Sequence, residues 1–137
     1  LWLLRHRPAP ALEEPLTPAQ RVLRDLDEIA ALRLPEQGRY REHYELLSAT
    51  LRRYVAERCG AAPGRTTREL RSEMERAGLD REHVATILEI LREGEVVRFR
   101  DLVPYPARAQ AAVRSALAVF RKAATAEQYE AAPIRQQ

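Results

Sequence analysis

TTRELRSEMERAGLDREHVATILEILREGEVVRFR, residues 66–100, is the stretch on which the fold turns. Thr66-Thr67-Arg68-Glu69 is a capping box, a hydroxyl at the helix start answered by a carboxylate three residues on. It opens a short helix with Leu70, Met74 and Ala77 turned inward, and Gly78 stops it. Asp80 caps a second helix whose inner stripe is Val84, Ile87, Leu88 and Leu91. Gly94 reads as the end of that helix, and residues 95–100 (Glu-Val-Val-Arg-Phe-Arg) read as a short strand. Short helix, glycine turn, helix and β segment follow the order of a helix-turn-helix with a wing.

The DNA-binding use of that shape would make residues 81–93 the recognition helix and set Arg98 and Arg100 on the wing. The charges oppose it. Asp80, Glu82, Glu89, Glu93 and Glu95 face only Arg81 and Arg92 between positions 80 and 95, the wrong sign for a groove walled by phosphates. No grouping of Asn, Gln and Arg is present there to read base edges. Nucleic acid is therefore the less favoured partner, and a protein-interaction use of the shape is preferred.

Upstream, Tyr40, Tyr44, Leu47, Leu51, Tyr54, Val55 and Cys59 recur at spacings of three and four, an amphipathic helix that Gly60 terminates. Tyrosines along that seam favour packing inside a globule over a heptad dimer. Residues 61–64 form a loop. Thr17-Pro18-Ala19-Gln20 starts an earlier helix with Val22, Leu23, Leu26, Ile29, Ala30 and Leu32 on one face, closed by Leu34-Pro35. Downstream, Pro104 and Pro106 bracket Tyr105 before a long helix. Its face of Ala109, Ala112, Val113, Ala116, Leu117 and Phe120 permits close approach. The expected fold is mainly α, about five helices with a winged-helix-like helix-turn-helix and one short β element. The expected organisation is residues 1–16 as the end of a transmembrane helix and a Pro-rich juxtamembrane linker, 17–125 as the folded domain, and 126–137 as a flexible tail.

Composition agrees with one helix-rich domain: 137 residues, 45% hydrophobic, 31% charged, with only 5 Gly and 2 Phe. The single cysteine, Cys59, excludes an internal disulfide and a cysteine-based zinc site, which suits a reducing compartment. The net charge of +3 is small and interleaved with 20 acidic residues, and Lys122 is the only lysine. On the last helix Arg108, Arg114, Arg121 and Lys122 meet no acidic residue in the sequence from 107 to 126. With Arg98 and Arg100 they are the candidate contacts for a partner or for anionic lipid, the plain alternative being a solvated basic face. No catalysis is expected. His6, His43 and His83 are scattered, no pair has the spacing of a helical metal site, and there is no phosphate-binding loop. No cofactor or metal is expected.

Leu47-Ser48, Leu51-Arg52-Arg53-Tyr54, Cys59-Gly60, Thr66-Thr67-Arg68-Glu69-Leu70, and then Leu88 through Val97-Arg98-Phe99 stand in an order that resembles the cytoplasmic C-terminal region of aerotolerance-type (BatD-like) bacterial membrane proteins and related uncharacterised membrane proteins. The resemblance covers about residues 20 to 124. Gly94 departs from its usual aspartate, Arg98 and Arg100 from its lysine and alanine, and Cys59 from its aromatic residue. It implies extracytoplasmic domains, one membrane span and a cytosolic module at the inner membrane. Such proteins are typically encoded beside MoxR-type AAA+ ATPases and von Willebrand factor A-domain proteins, which implies an adaptor or scaffold role. No catalytic residue carries over. Leu1-Trp2-Leu3-Leu4 followed by Arg5 and Arg7 fits the last turn of the span, with Trp2 at the interface and the arginines just inside. An ordinary exposed helix start is the alternative.

Overall fold

The computed structural model describes residues 15–62, 64–100 and 104–131, and these are mainly helical. Among them lie five α-helices: α1 Pro18–Leu32, α2 Tyr40–Cys59, α3 Thr67–Arg76, α4 Arg81–Arg100 and α5 Pro106–Ala131. A single 3-10 turn, Pro35–Gln37, joins α1 to α2. The sequence-derived reading of residues 1–14 as a membrane-helix end and linker lies outside the described residues. Among the described residues no helix is long and apolar enough to cross a membrane.

Both expected capping boxes form. The Gln20 N–H donates to Thr17 Oγ1 (3.2 Å) while the Thr17 N–H donates to Gln20 Oε1 (2.9 Å). Thr66 and Glu69 repeat the exchange at 3.1 and 2.9 Å. Asp80 Oδ2 accepts the Glu82 N–H at the head of α4. These contacts satisfy donors that a helix start otherwise leaves without partners. α2 ends at Gly60, whose φ of 69° is the left-handed conformation that only a residue without Cβ adopts freely.

α1, α2, α4 and α5 pack in that order around a common core, with α5 closing back on α1. Neighbours run antiparallel. Asp25 of α1 pairs with Arg53 late in α2 at 2.7 Å, and Arg41 early in α2 donates to the Arg98 carbonyl at the end of α4. Across α4 and α5, Glu93 pairs with Arg108 at 2.7 Å and Glu82 with Lys122 at 3.4 Å. The result is an up-down-up-down four-helix bundle. Its lower end holds the starts of α1 and α4, and its upper end holds their C-termini. Tyr44, Leu47, Leu51, Leu26, Ile87, Leu91 and Phe120 fill the interior, and Ala109, Ala112 and Ala116 are the small residues of α5 buried in the bundle.

Two expectations need correction. Residues 95–100 are not a strand but the last turns of α4, a helix of 20 residues. Their β-branched composition is overridden by packing, because Ile87, Ile90, Leu91, Gly94 and Val97 continue one helical stripe against the core. Gly94 is not a terminator; it is where α4 passes closest to α2. A Cβ there would stand 2.9 Å from Ser48 Oγ and 3.6 Å from Tyr44 Cβ. With residues 95–100 helical and α4 continuous, α3 folds back beside its neighbour, so Thr67 Oγ1 donates to Glu95 Oε2 at 2.9 Å. A helix-turn-helix, turning by about 90–120°, would carry Thr67 away from that position. The second correction concerns the tail: α5 runs to Ala131, and Glu127, expected in a flexible segment, is 8% exposed.

The close approach at Gly94 sets a measurable limit. Gly94→Val should destabilise the domain by about 2 kcal/mol, the usual cost of overfilling a packed core. Gly94→Ala should be milder, and Ser48→Ala added to it should restore part of the loss. Urea unfolding of the three variants checks this; equal stability of Gly94→Val and the parent chain would refute the close approach.

Candidate interaction groove and the buried polar corner

The six cations singled out from the sequence do not form one surface. Arg98 and Arg100 end α4 and Arg108 begins α5, so these three gather at the upper end of the bundle. Arg108 is tied to Glu93, and Lys122, near the lower end, is tied to Glu82. Both pairs join α5 to α4, so the sequence gap in acidic residues between 107 and 126 is filled from the neighbouring helix. Burial pushes the Glu93 carboxyl above its usual range, and Arg108 beside it opposes that shift. Arg114 and Arg121 sit exposed on α5, and among the described residues no carboxylate lies within 4 Å of either.

An open groove of about 1220 Å³ runs along α4. Val84, Ala85, Leu88 and Val96 of α4 form its floor. Arg71 and Glu75 of α3, with Leu79 of the turn, make one wall, and Pro104, Tyr105 and Arg108 make the other. α3 creates this groove, because a bundle of four helices without the short fifth one would leave that side of α4 flat. Tyr105 at the upper mouth is 82% exposed and Phe99, beyond it on α4, is 74% exposed. The Arg98 guanidinium lies 5.1 Å from the centre of the Phe99 ring.

At the lower end all four long helices meet in a buried polar corner. Glu127 of α5 accepts the Ala19 N–H of α1 at 3.0 Å and the Tyr54 hydroxyl of α2 at 3.3 Å. Arg58 of α2 approaches the same carboxylate at 3.9 Å and reaches Glu130 at 3.6 Å. Because the Tyr54 hydroxyl donates to Glu127, its oxygen accepts from His83 Nε2 of α4, 3.2 Å away. Phe120 closes the corner edge-on to both the Tyr54 and His83 rings, with centroids 4.7 and 4.6 Å away. A cavity of about 540 Å³ opens beside these groups.

The proton arrangement follows from the partners. His83 carries its proton on Nε2, and its Nδ1 is buried without a partner. His43, also fully buried, donates from Nε2 to the Ala109 carbonyl at 2.9 Å and leaves Nδ1 in the same condition. Burial lowers the pKa of both rings, that of His83 to about 4. Burial and then the Glu127 charge raise the Tyr54 hydroxyl. Burial also pushes the Cys59 thiol up, which weakens it as a nucleophile. Among the described residues no group of three or more His, Cys, Asp or Glu side chains is placed to hold a metal ion.

Sequence reasoning missed Glu127, taking the chain after 125 for a frayed tail. The signal was present: Val113, Ala116, Phe120, Ala124 and Glu127 follow one another at three- and four-residue spacing, so a carboxylate falls on the apolar stripe. No protein-family model matches the chain, and no curated protein or solved structure matches it.

Two measurements probe the corner. Glu127→Ala should cost about 3 kcal/mol, since it leaves the Tyr54 hydroxyl and the Ala19 N–H without their shared acceptor and removes one of the two carboxylates beside Arg58. Glu127→Gln, which keeps one acceptor oxygen, should cost less than half as much; similar losses for the two would refute the role of the acceptor. For His83 the folded pKa lies below the unfolded value near 6.5, so the unfolded chain takes up the proton first. Its contribution is complete above about pH 6.5 and is lost as pH falls toward 4. Between pH 7 and 4.5 unfolding free energy should drop by about 2 kcal/mol through this group, and His83→Gln should flatten that part of the profile.

Proposed function

We propose that this chain is a non-enzymatic protein-interaction module, an adaptor on the cytoplasmic side of a single-span bacterial inner-membrane protein. Its partners in this reading are a MoxR-type AAA+ ATPase and von Willebrand factor A-domain proteins. The observation that carries the interaction role is the open groove beside α4, with an apolar floor, arginine-bearing walls and the exposed Tyr105 ring at its upper mouth. Buried apolar surface with aromatic and arginine residues at its edge is the composition of protein-binding hot spots. The resemblance of residues 20–124 to the aerotolerance-type membrane proteins supplies the membrane setting and the named partners.

A non-enzymatic role is supported by the state of the reactive groups. The two described histidines are buried with lowered pKa, and the Cys59 thiol is shifted upward. The rival reading, a winged-helix DNA-binding regulator, is disfavoured by the position of α4. That helix is packed against α2, α3 and α5, and residues 95–100 continue it where a wing would be needed.

Retention of the purified ATPase or A-domain protein on the immobilised domain is the direct test, and near-stoichiometric capture is expected. Failure of folded domain to hold either protein would overturn the named partners. Tight DNA retention on a filter, falling steeply with added salt, would overturn the interaction reading in favour of the regulator.

A further inference from the structure

The groove beside α4 defines its occupant more narrowly than the adaptor role alone. We propose that it docks an acidic amphipathic helix of a protein partner, laid lengthwise over Val84, Ala85, Leu88 and Val96. The inference rests on the interaction reading above but not on the identity of the partners named there.

Shape gives the first argument. The α4 lining from Arg81 to Val96 covers sixteen residues, a rise of about 22 Å, which is room for roughly four turns of a second helix. Walls on both sides make the face concave, so the same face of a second copy cannot fill it, whereas a single convex helix can. Ala85, small and exposed between Arg81 and Glu89, lets a visiting helix approach the floor closely.

Charge gives the second. Among the described residues, Arg71, Arg81 and Arg92 of the groove lining have no carboxylate within 4 Å. Against these three guanidinium groups stand Glu75 and Glu89; the third lining carboxylate, Glu93, is already held by Arg108. The surplus is positive, and it flanks an apolar strip. An occupant with leucine-like side chains at i, i+4, i+7 and carboxylates to either side satisfies both features. A phosphodiester backbone supplies the charge but nothing for the floor, which makes an acidic helix the better fit.

The test uses a fluorescein-labelled helical peptide of about sixteen residues, with leucines at i, i+4, i+7 and i+11 and flanking glutamates, titrated with the full chain by anisotropy. Saturable binding is expected, several-fold weaker between about 50 and 300 mM salt. Ala85→Arg, at an exposed position that leaves the core alone, should weaken it by roughly tenfold or more, as should Arg81→Glu with Arg92→Glu. Arg114→Glu, on another face, should have no effect, and circular dichroism confirms that each variant is folded. Equal binding of a lysine-flanked peptide, indifference to Ala85→Arg, displacement by a duplex oligonucleotide, or absence of binding would each overturn the proposal. The ATPase and A-domain capture repeated with Ala85→Arg separates the two levels. Capture unaffected by the variant leaves the adaptor role standing and removes the groove. Ala85-dependent peptide binding without capture leaves the groove and removes the named partners.

Discussion

A carboxylate withdrawn from water among four helices must find its hydrogen bonds there, and in this domain the Glu127 carboxylate finds one from each of two helices besides its own, with a guanidinium alongside. The Ala19 N–H it accepts belongs to the first turn of α1, where the helix leaves its positive end. The contact spans 108 residues of sequence and closes the bundle, holding α5 against α1. Tyr54 and His83 then stand in a fixed order of donors and acceptors, and Phe120 packs on both rings. Take the carboxylate away and the Ala19 N–H and the Tyr54 hydroxyl lose their acceptor together, while Arg58 keeps only Glu130 beside it.

The same corner links stability to acidity without requiring any chemistry of it. His43 and His83 lie in different helices, near opposite ends of the bundle, yet each is held neutral through one ring nitrogen and left unsatisfied at the other. Both therefore resist protonation while the chain is folded. The groove beside α4 is built separately, from α3 and the head of α5. Groove and core meet on α4, where Val84 and Leu88 belong to both.

Helix starts were legible in the sequence wherever a local exchange determines them: Thr17 with Gln20 and Thr66 with Glu69 need only three residues to be recognised. The Tyr44–Val55 stripe of α2 was legible for the same reason, as periodicity within one element. Gly94 was misread because a glycine after an apolar run looks like a stop, whereas its meaning lies in Ser48 and Tyr44, on a helix much earlier in the chain. Val96, Val97 and Phe99 were read as a strand because propensity is a local quantity and the packing that overrides it is not. The pairings of Arg108 and Lys122 were invisible for the same cause, since their carboxylates lie on another helix. Of the cations picked out from the sequence, only Arg108 lines the groove. The groove itself was not legible, because it exists only through the return of α3 alongside α4.

The hydrogen bond from Ala19 to Glu127 has a topological consequence. It fastens the first turn of the first helix to the last helix, so the chain enters and leaves the domain through the same corner. A unit of that kind can be spliced into a longer polypeptide like a bud on a stalk, its host running in and out at one base while the opposite pole stays unobstructed.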